Sequence, residues 1–217
     1  MAVQIEVISD VVCPWCFIGK RRLERALARL RETAGAPQVS VVWRAFQLNP
    51  GLPEAGVDRA QYVRAKFGAA AEQVYGRVQA VGRSVGIEFA FDSIARQPNT
   101  LAAHQLIAAA HAQDCQDQMV EALFRGYFLE GADLTQRATL VLLAQRAGMD
   151  AERAGACLDD ASERQAALDA DRAARELGVD GVPCFVFDAR LAVSGAQEPE
   201  ALLQAIQRSA QAAVEVT

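Results

Sequence analysis

Cys13 and Cys16 stand with Pro14 and Trp15 between them, after an apolar alternating run and before a stretch with helical spacing. Sulfurs one helical turn apart can reach the roughly 4.4–6.8 Å Cα separation that a disulfide needs. The same spacing would suit half of a zinc site, and two inert thiols would look no different. Zinc takes four ligands, usually with a second Cys or His pair at similar spacing. His104 and His111 are seven residues apart, and Cys115, Cys157 and Cys184 are scattered. A CxxC that ends a strand and opens a helix therefore favours redox chemistry over metal. Unpaired backbone N–H groups and the helix dipole favour an anion at a helix start. Thiol pKa values there fall from about 8.5 to between about 3.5 and 7.5. Cys13 is the predicted nucleophile, and Cys16, deeper in the helix, the predicted resolving thiol. Pro14 suits the first helical position, where its missing N–H costs nothing. Trp15 is expected to be exposed and to offer substrate an apolar contact.

A second element is Gly181-Val182-Pro183-Cys184-Phe185. A proline that opens a strand after a glycine-bearing turn is a candidate cis-proline. His104 has two readings. It could line the cleft and aid proton transfer to a leaving thiolate. The preferred reading is a histidine packed and hydrogen-bonded at a domain junction, since exchange needs no dedicated base once the thiolate exists. Cys115 and Cys157 sit on helical stretches and read as packing residues or bystanders.

The elements that must hold these residues follow from periodicity. Val3, Ile5 and Val7 alternate with Gln4 and Glu6, a strand over 3–8. A helix follows the CxxC with Phe17, Leu23, Leu27 and Leu30, stopped by Gly35 and Pro37. A β-rich run from Val39 to Phe46 is broken by the turn Asn49-Pro50-Gly51-Leu52-Pro53. From Asp58 to Leu177 the spacing is helical. Asp58 with Gln61 resembles a capping box, and Asn99-Thr100 caps the helix that carries His104. Cys184–Phe187 and Leu191–Val193 read as a hairpin, and Glu198–Ala213 as a last amphipathic helix. The order is βαβ, a helical block, then ββα. One mixed sheet with a helical insertion would satisfy it.

Composition narrows the function classes. The 217 residues are 52% hydrophobic and 23% charged, which is globular and not disordered. A net charge of −5 lacks the basic face of a nucleic-acid binder. No apolar stretch approaches the roughly 18 residues of a membrane span, so no membrane partner is expected. Lys20 and Lys66 are the only lysines among the 22 basic residues. Five cysteines, an odd number, argue against a structural disulfide framework. The first residues have neither a basic start nor a long apolar run, so the expected location is the cytoplasm, where a close cysteine pair is catalytic or metal-binding.

Taken together, these stretches resemble the thioredoxin superfamily, and within it the DsbA-like branch called the FrnE family. The resemblance is carried by Ser9-Asp10-Val11-Val12 with Cys13 to Lys20, and by Arg44 to Pro50. Asn99-Thr100 with His104, Leu123-Phe124 through Gly131, and Gly181-Val182-Pro183 with Ser194-Gly195-Ala196 carry it further. It implies an α/β thioredoxin fold with a large all-helical insertion. The thioredoxin-like domain would comprise 1–57 and 178–217, and the insertion 58–177. It also implies a cis Val182–Pro183 bond facing the CxxC, with the Val182 backbone pairing with bound substrate. Cys184 departs from the bulky apolar residue common there. A buried thiol facing away from Pro183 is the preferred reading, against a mixed-disulfide or sensor role.

The implied activity is that of a thiol–disulfide oxidoreductase, a reductase or isomerase of protein or small-molecule disulfides. No cofactor is expected beyond the redox-active disulfide, with glutathione as a possible co-substrate, and no metal. The related 2-hydroxychromene-2-carboxylate isomerases and kappa-class glutathione transferases suggest a glutathione-dependent isomerase or transferase as the alternative. They commonly lack a complete CxxC, which counts against it. A chaperone-like binding module is the third reading.

Overall fold

The computed structural model describes residues 2–215; positions 1, 216 and 217, the outermost of the predicted thioredoxin segments, lie outside the described residues. Strand β1 (Ala2–Ser9) buries Val3, Ile5 and Val7 on one face, as its alternation requires. Helix α1 (Pro14–Arg31) starts at Pro14 and ends at Arg31. Gly35, at φ +74°, belongs to the turn beyond. Strand β2 (Gln38–Ala45) returns parallel to β1, with Ile5 opposite Val41. This is the predicted βαβ unit.

The two ends of the chain do join. Strand β5 (Cys184–Phe187) runs antiparallel to β1, with Val7 opposite Phe185. Strand β6 (Leu191–Ser194) pairs with β5, so the sheet order is β2-β1-β5-β6. Asp188 and Ala189 both have positive φ in the three-residue hairpin loop 188–190, backbone that lets a short loop follow the strand twist. The Asp188 carboxylate accepts the Gln4 N–H at 2.8 Å and ties this turn to β1. Helix α9 (Pro199–Glu215) packs beside α1 and against the sheet.

Between the two halves lie α2 (Arg59–Phe67), α3 (Ala71–Ser84), α4 (Leu101–His111), α5 (Gln116–Glu130), α6 (Arg137–Arg146), α7 (Ala151–Asp159) and α8 (Ala161–Glu176). Asp58 caps α2 by accepting the Gln61 N–H at 2.8 Å. At α4, Thr100 holds the cap position without a side-chain bond, and Asn99 Oδ1 accepts the Leu101 N–H at 3.0 Å instead. The insertion is not wholly helical. Residues Val57–Asp58 (β3) and Arg96–Gln97 (β4) form a small antiparallel ribbon. Two-residue strands are too short for alternation to show in a sequence.

Helices α4, α5 and α8 pack on β2, so the insertion shares one apolar core with the sheet. Phe17, in the first turns of α1, stacks on Phe124 at 5.0 Å between centroids and meets Phe89 edge-on at 6.1 Å. A smaller cluster of Ile8, Phe46, Ala174 and Cys184 fills the other face of the sheet. Gln116 covers the free edge of β2. Its amide oxygen accepts the Trp43 N–H at 2.9 Å, and its nitrogen donates to the Trp43 carbonyl at 3.2 Å. A side-chain amide thus takes the place of the next strand. Among the described residues no helix is long and apolar enough to cross a membrane.

Candidate active site

Cys13 is the N-cap residue of α1, with extended φ and ψ of −93° and 111°. Its N–H donates to the Asp10 carbonyl at 3.0 Å, and its own carbonyl takes the Cys16 N–H at 3.0 Å. The link from β1 to α1 is therefore a fixed turn that holds the first sulfur at the helix start. The Val182–Pro183 bond is cis. It brings the Val182 carbonyl to Cys13, whose thiol donates to it at 3.5 Å. Gly19 lets these two segments approach. A Cβ there would lie 3.0 Å from Pro183 Cγ and 3.2 Å from the Phe185 ring.

The two thiols sit in different surroundings. Cys13 is itself buried, at 5% exposed, but lines a cavity of about 260 Å³. Cys16 is 1% exposed and does not line that cavity. Burial pushes the Cys16 thiol well above its ordinary value, and the neighbouring Cys13 adds to the rise through a hydrogen bond and its charge. Hydrogen bonds with the Asp10 backbone and the Ser9 hydroxyl oppose this only in part. The two cysteines are both free thiols.

Trp15 is half-buried against the core and not exposed as expected, although it does line the cavity beside Cys13. Its indole packs on apolar neighbours, which a surface position would waste. His104 is 2% exposed and does not line the cavity. Its Nε2 lies 3.4 Å from Oδ1 of the wholly buried Asp10, and neither ring nitrogen makes a hydrogen bond. The packed reading describes its place; the hydrogen bonds expected with that reading are missing. Asp10 Oδ2 accepts the Leu48 N–H at 2.7 Å and so ties the CxxC turn to the chain after β2.

Cys184 is buried on the face of the sheet opposite Phe185, opposite Ser194 of β6. Burial raises its thiol, while the Ser194 hydroxyl lowers it. Cys157 is fully buried in α7, and burial, reinforced by Glu163, pushes its thiol up to about 11. Cys115 is the buried N-cap of α5. Among the described residues no group of three His, Cys, Asp or Glu side chains is placed to hold a metal ion.

Sequence reasoning did not single out the far wall of the cavity. Asn49, Arg59, Tyr62, Lys66, Tyr75 and Gln97 line it opposite Cys13. Only the rarity of lysine marked Lys66, and the approach of α2 to the CxxC depends on tertiary packing.

The family signature of the DSBA-like thioredoxin domain matches residues 4–207. Among solved structures, a probable DsbA oxidoreductase from Streptomyces coelicolor is 33% identical, with a TM-score of 0.85; the match covers 95% of this chain and 89% of that one. The uncharacterized protein YwbO of Bacillus subtilis (strain 168) is 26% identical over 192 residues, 86% of this chain and 88% of the relative. The cytosolic disulfide reductase DsbM from Pseudomonas aeruginosa, solved with GSH, shares the fold at a TM-score of 0.63 and 18% identity, over 96% of this chain and 99% of that one.

Proposed function

Since the chain belongs to the DSBA-like thioredoxin domain family, we propose that it is a thiol–disulfide oxidoreductase in which Cys13 exchanges with substrate and Cys16 resolves. The observation that carries this reading is the asymmetry of the pair. Cys13 opens on a cavity at a helix start, while Cys16 is buried one turn in, with its proton held.

In the reducing direction the Cys13 thiolate attacks one sulfur of a substrate disulfide. The substrate S–S bond breaks, a Cys13–substrate bond forms, and the released thiolate takes a proton from water. Cys16 then gives up its proton and attacks Cys13 Sγ, so the mixed disulfide breaks and the second substrate thiol leaves. Two electrons pass from the dithiol to the substrate, and two equivalents of an external thiol restore the pair as they are oxidised to their own disulfide. Once Cys13 is in the mixed disulfide its negative charge is gone. One of the causes that hold the proton on Cys16 disappears at the step that needs it to leave.

The Val182 carbonyl, already at the Cys13 sulfur, would hold the incoming substrate backbone. Protein or small-molecule disulfides are the proposed substrates, and glutathione is the proposed co-substrate among the small ones. The Pseudomonas aeruginosa reductase solved with GSH supports placing it there. A reducing compartment such as the cytoplasm suits this direction.

The test is a pair of single substitutions assayed for exchange with a small disulfide and for trapped adducts by mass spectrometry. Cys13→Ser is expected to abolish exchange, and Cys16→Ser to accumulate one mixed disulfide at Cys13. Exchange that survives Cys13→Ser would overturn the assignment.

A further inference from the structure

Arg59 is 8% exposed and lines the cavity that holds Cys13. A guanidinium taken out of water needs an anion or a full set of acceptors. It has neither here. One terminal nitrogen donates to Gln97 Oε1 and the other to the Tyr75 hydroxyl at 2.7 Å, both neutral partners. The group has five N–H donors, so two acceptors leave most of its capacity unused. The faces of Tyr62 and Tyr75 lie beside it, 5.8 and 5.5 Å from ring centroid to Cζ.

Among the described residues no carboxylate lies within ion-pair distance of Arg59 or of Lys66. Two acids of this region are engaged elsewhere. Asp10 faces His104 and the Leu48 N–H, and Asp58 caps α2. Glu72 and Asp92 line a second depression that Arg59 and Tyr75 also border, but neither carboxylate comes within ion-pair distance of the guanidinium.

The same wall offers further donors. Lys66 Nζ, at the exposed end of α2, touches only the Tyr62 hydroxyl at 2.9 Å and two ring faces. Asn49 Nδ2 is buried without an acceptor. A chain with a net charge of −5 thus places two unpaired cations and an orphan amide around a small cavity that ends at a reactive sulfur.

We propose that Arg59, with Lys66 and Asn49, forms a carboxylate subsite that makes the enzyme select small, anionic thiols and disulfides for exchange at Cys13. This rests on the reading of Cys13 as the exchanging thiol. The missing counter-ion is the carboxylate of the substrate itself, bound across the cavity from the sulfur it presents. A walled cavity of about 260 Å³ fits a carboxylate-bearing small thiol better than a folded protein.

The test compares oxidised glutathione with its tetraester, in which all four carboxylates are masked and the two amino groups are kept. Oxidation of the reduced wild-type protein is followed by rapid alkylation and mass spectrometry. The rate ratio of anion to ester should be at least about tenfold, as charge-assisted hydrogen bonds to a desolvated guanidinium imply. It should collapse toward one in Arg59→Gln and fall in part in the surface variant Lys66→Gln. Should Arg59→Gln fail to fold, the wild-type ratio and Lys66→Gln still decide. A wild-type ratio near one, or a ratio unchanged in folded variants, overturns the subsite.

A second arm uses unreactive S-methylglutathione and its diester in calorimetric titration of the wild-type protein. Binding of the acid but not the ester supports the subsite even if no disulfide is exchanged, a result that would count only against the redox reading. Equal binding of both, or of neither, overturns it.

Discussion

At the scale of residues, the chemistry depends on keeping two sulfurs one turn apart in unlike surroundings. Cys13→Ser leaves Cys16 buried, and burial is the first cause of its raised thiol. In that variant Cys16 should resist iodoacetamide under native conditions even at pH 9.0. Cys13, which lines the cavity, should in the Cys16→Ser variant alkylate faster than Cys16 does in Cys13→Ser. Peptide mapping of both variants checks this, and rapid native labelling of Cys16 would contradict it. Gly19 is a second test. A valine there drives its side chain into Pro183 and Phe185, so Gly19→Val should cost about 1–3 kcal/mol, typical of overpacking. It should also slow exchange by separating Val182 from Cys13.

Legibility at this scale was uneven, for a physical reason. Cys13, Cys16 and the Val182–Pro183 segment announce themselves because their chemistry or backbone is local to a few residues. Arg59 does not. A surface arginine and a buried arginine without a counter-charge are the same letter, and only the folded neighbourhood tells them apart.

At the scale of elements, the insertion is bound to the sheet by specific contacts. Gln116 acts as an amide splint on the β2 edge, and its nitrogen also donates to the Ile107 carbonyl at 3.1 Å. Gln116→Ala strands buried backbone groups of Trp43 and should lower stability by about 1–3 kcal/mol, measured as a shift of the denaturant midpoint. A loss below a few tenths would mean the edge is satisfied some other way. Long helices and the β1 strand were readable because their spacing repeats several times. The β3–β4 ribbon was not, since each strand contributes a single pair of residues. The hairpin after Pro183 was readable from its short apolar run, yet the pairing of β5 with β1 needs chain ends 180 residues apart and leaves no local mark.

At the scale of the whole molecule, α1 and α5 are clamped by a charge network as well as by the aromatic cluster. Lys20, 2% exposed, meets Glu24 at 2.5 Å, Asp117 at 3.0 Å and Glu121 at 3.4 Å, and Arg21 also pairs with Glu121. Burial works to raise the Glu121 carboxyl, but the Arg21 hydrogen bond and the charges of Lys20 and Arg21 outweigh it and hold it below 4.5. A lowered folded value means that this carboxylate stabilises the fold above its unfolded value. The contribution is lost as pH falls through the lower folded value. The stability gap between wild type and Glu121→Gln should therefore be open near about pH 6 and close as pH drops below 4.5. Denaturant midpoints across that range check it; a gap that widens in acid would reverse the sign.

The central claim, that Cys13 and Cys16 form one two-electron couple, is tested most directly by equilibrating the protein in glutathione buffers of graded ratio. Each point is quenched by alkylation and read by mass spectrometry of the cysteine peptides. A single transition should appear, losing alkylation at Cys13 and Cys16 together while Cys115, Cys157 and Cys184 stay outside it. Its midpoint should lie between about −270 and −120 mV, the span of thioredoxin-like dithiols. A pair that never oxidises, or one in which Cys13 pairs with Cys184, would contradict the account.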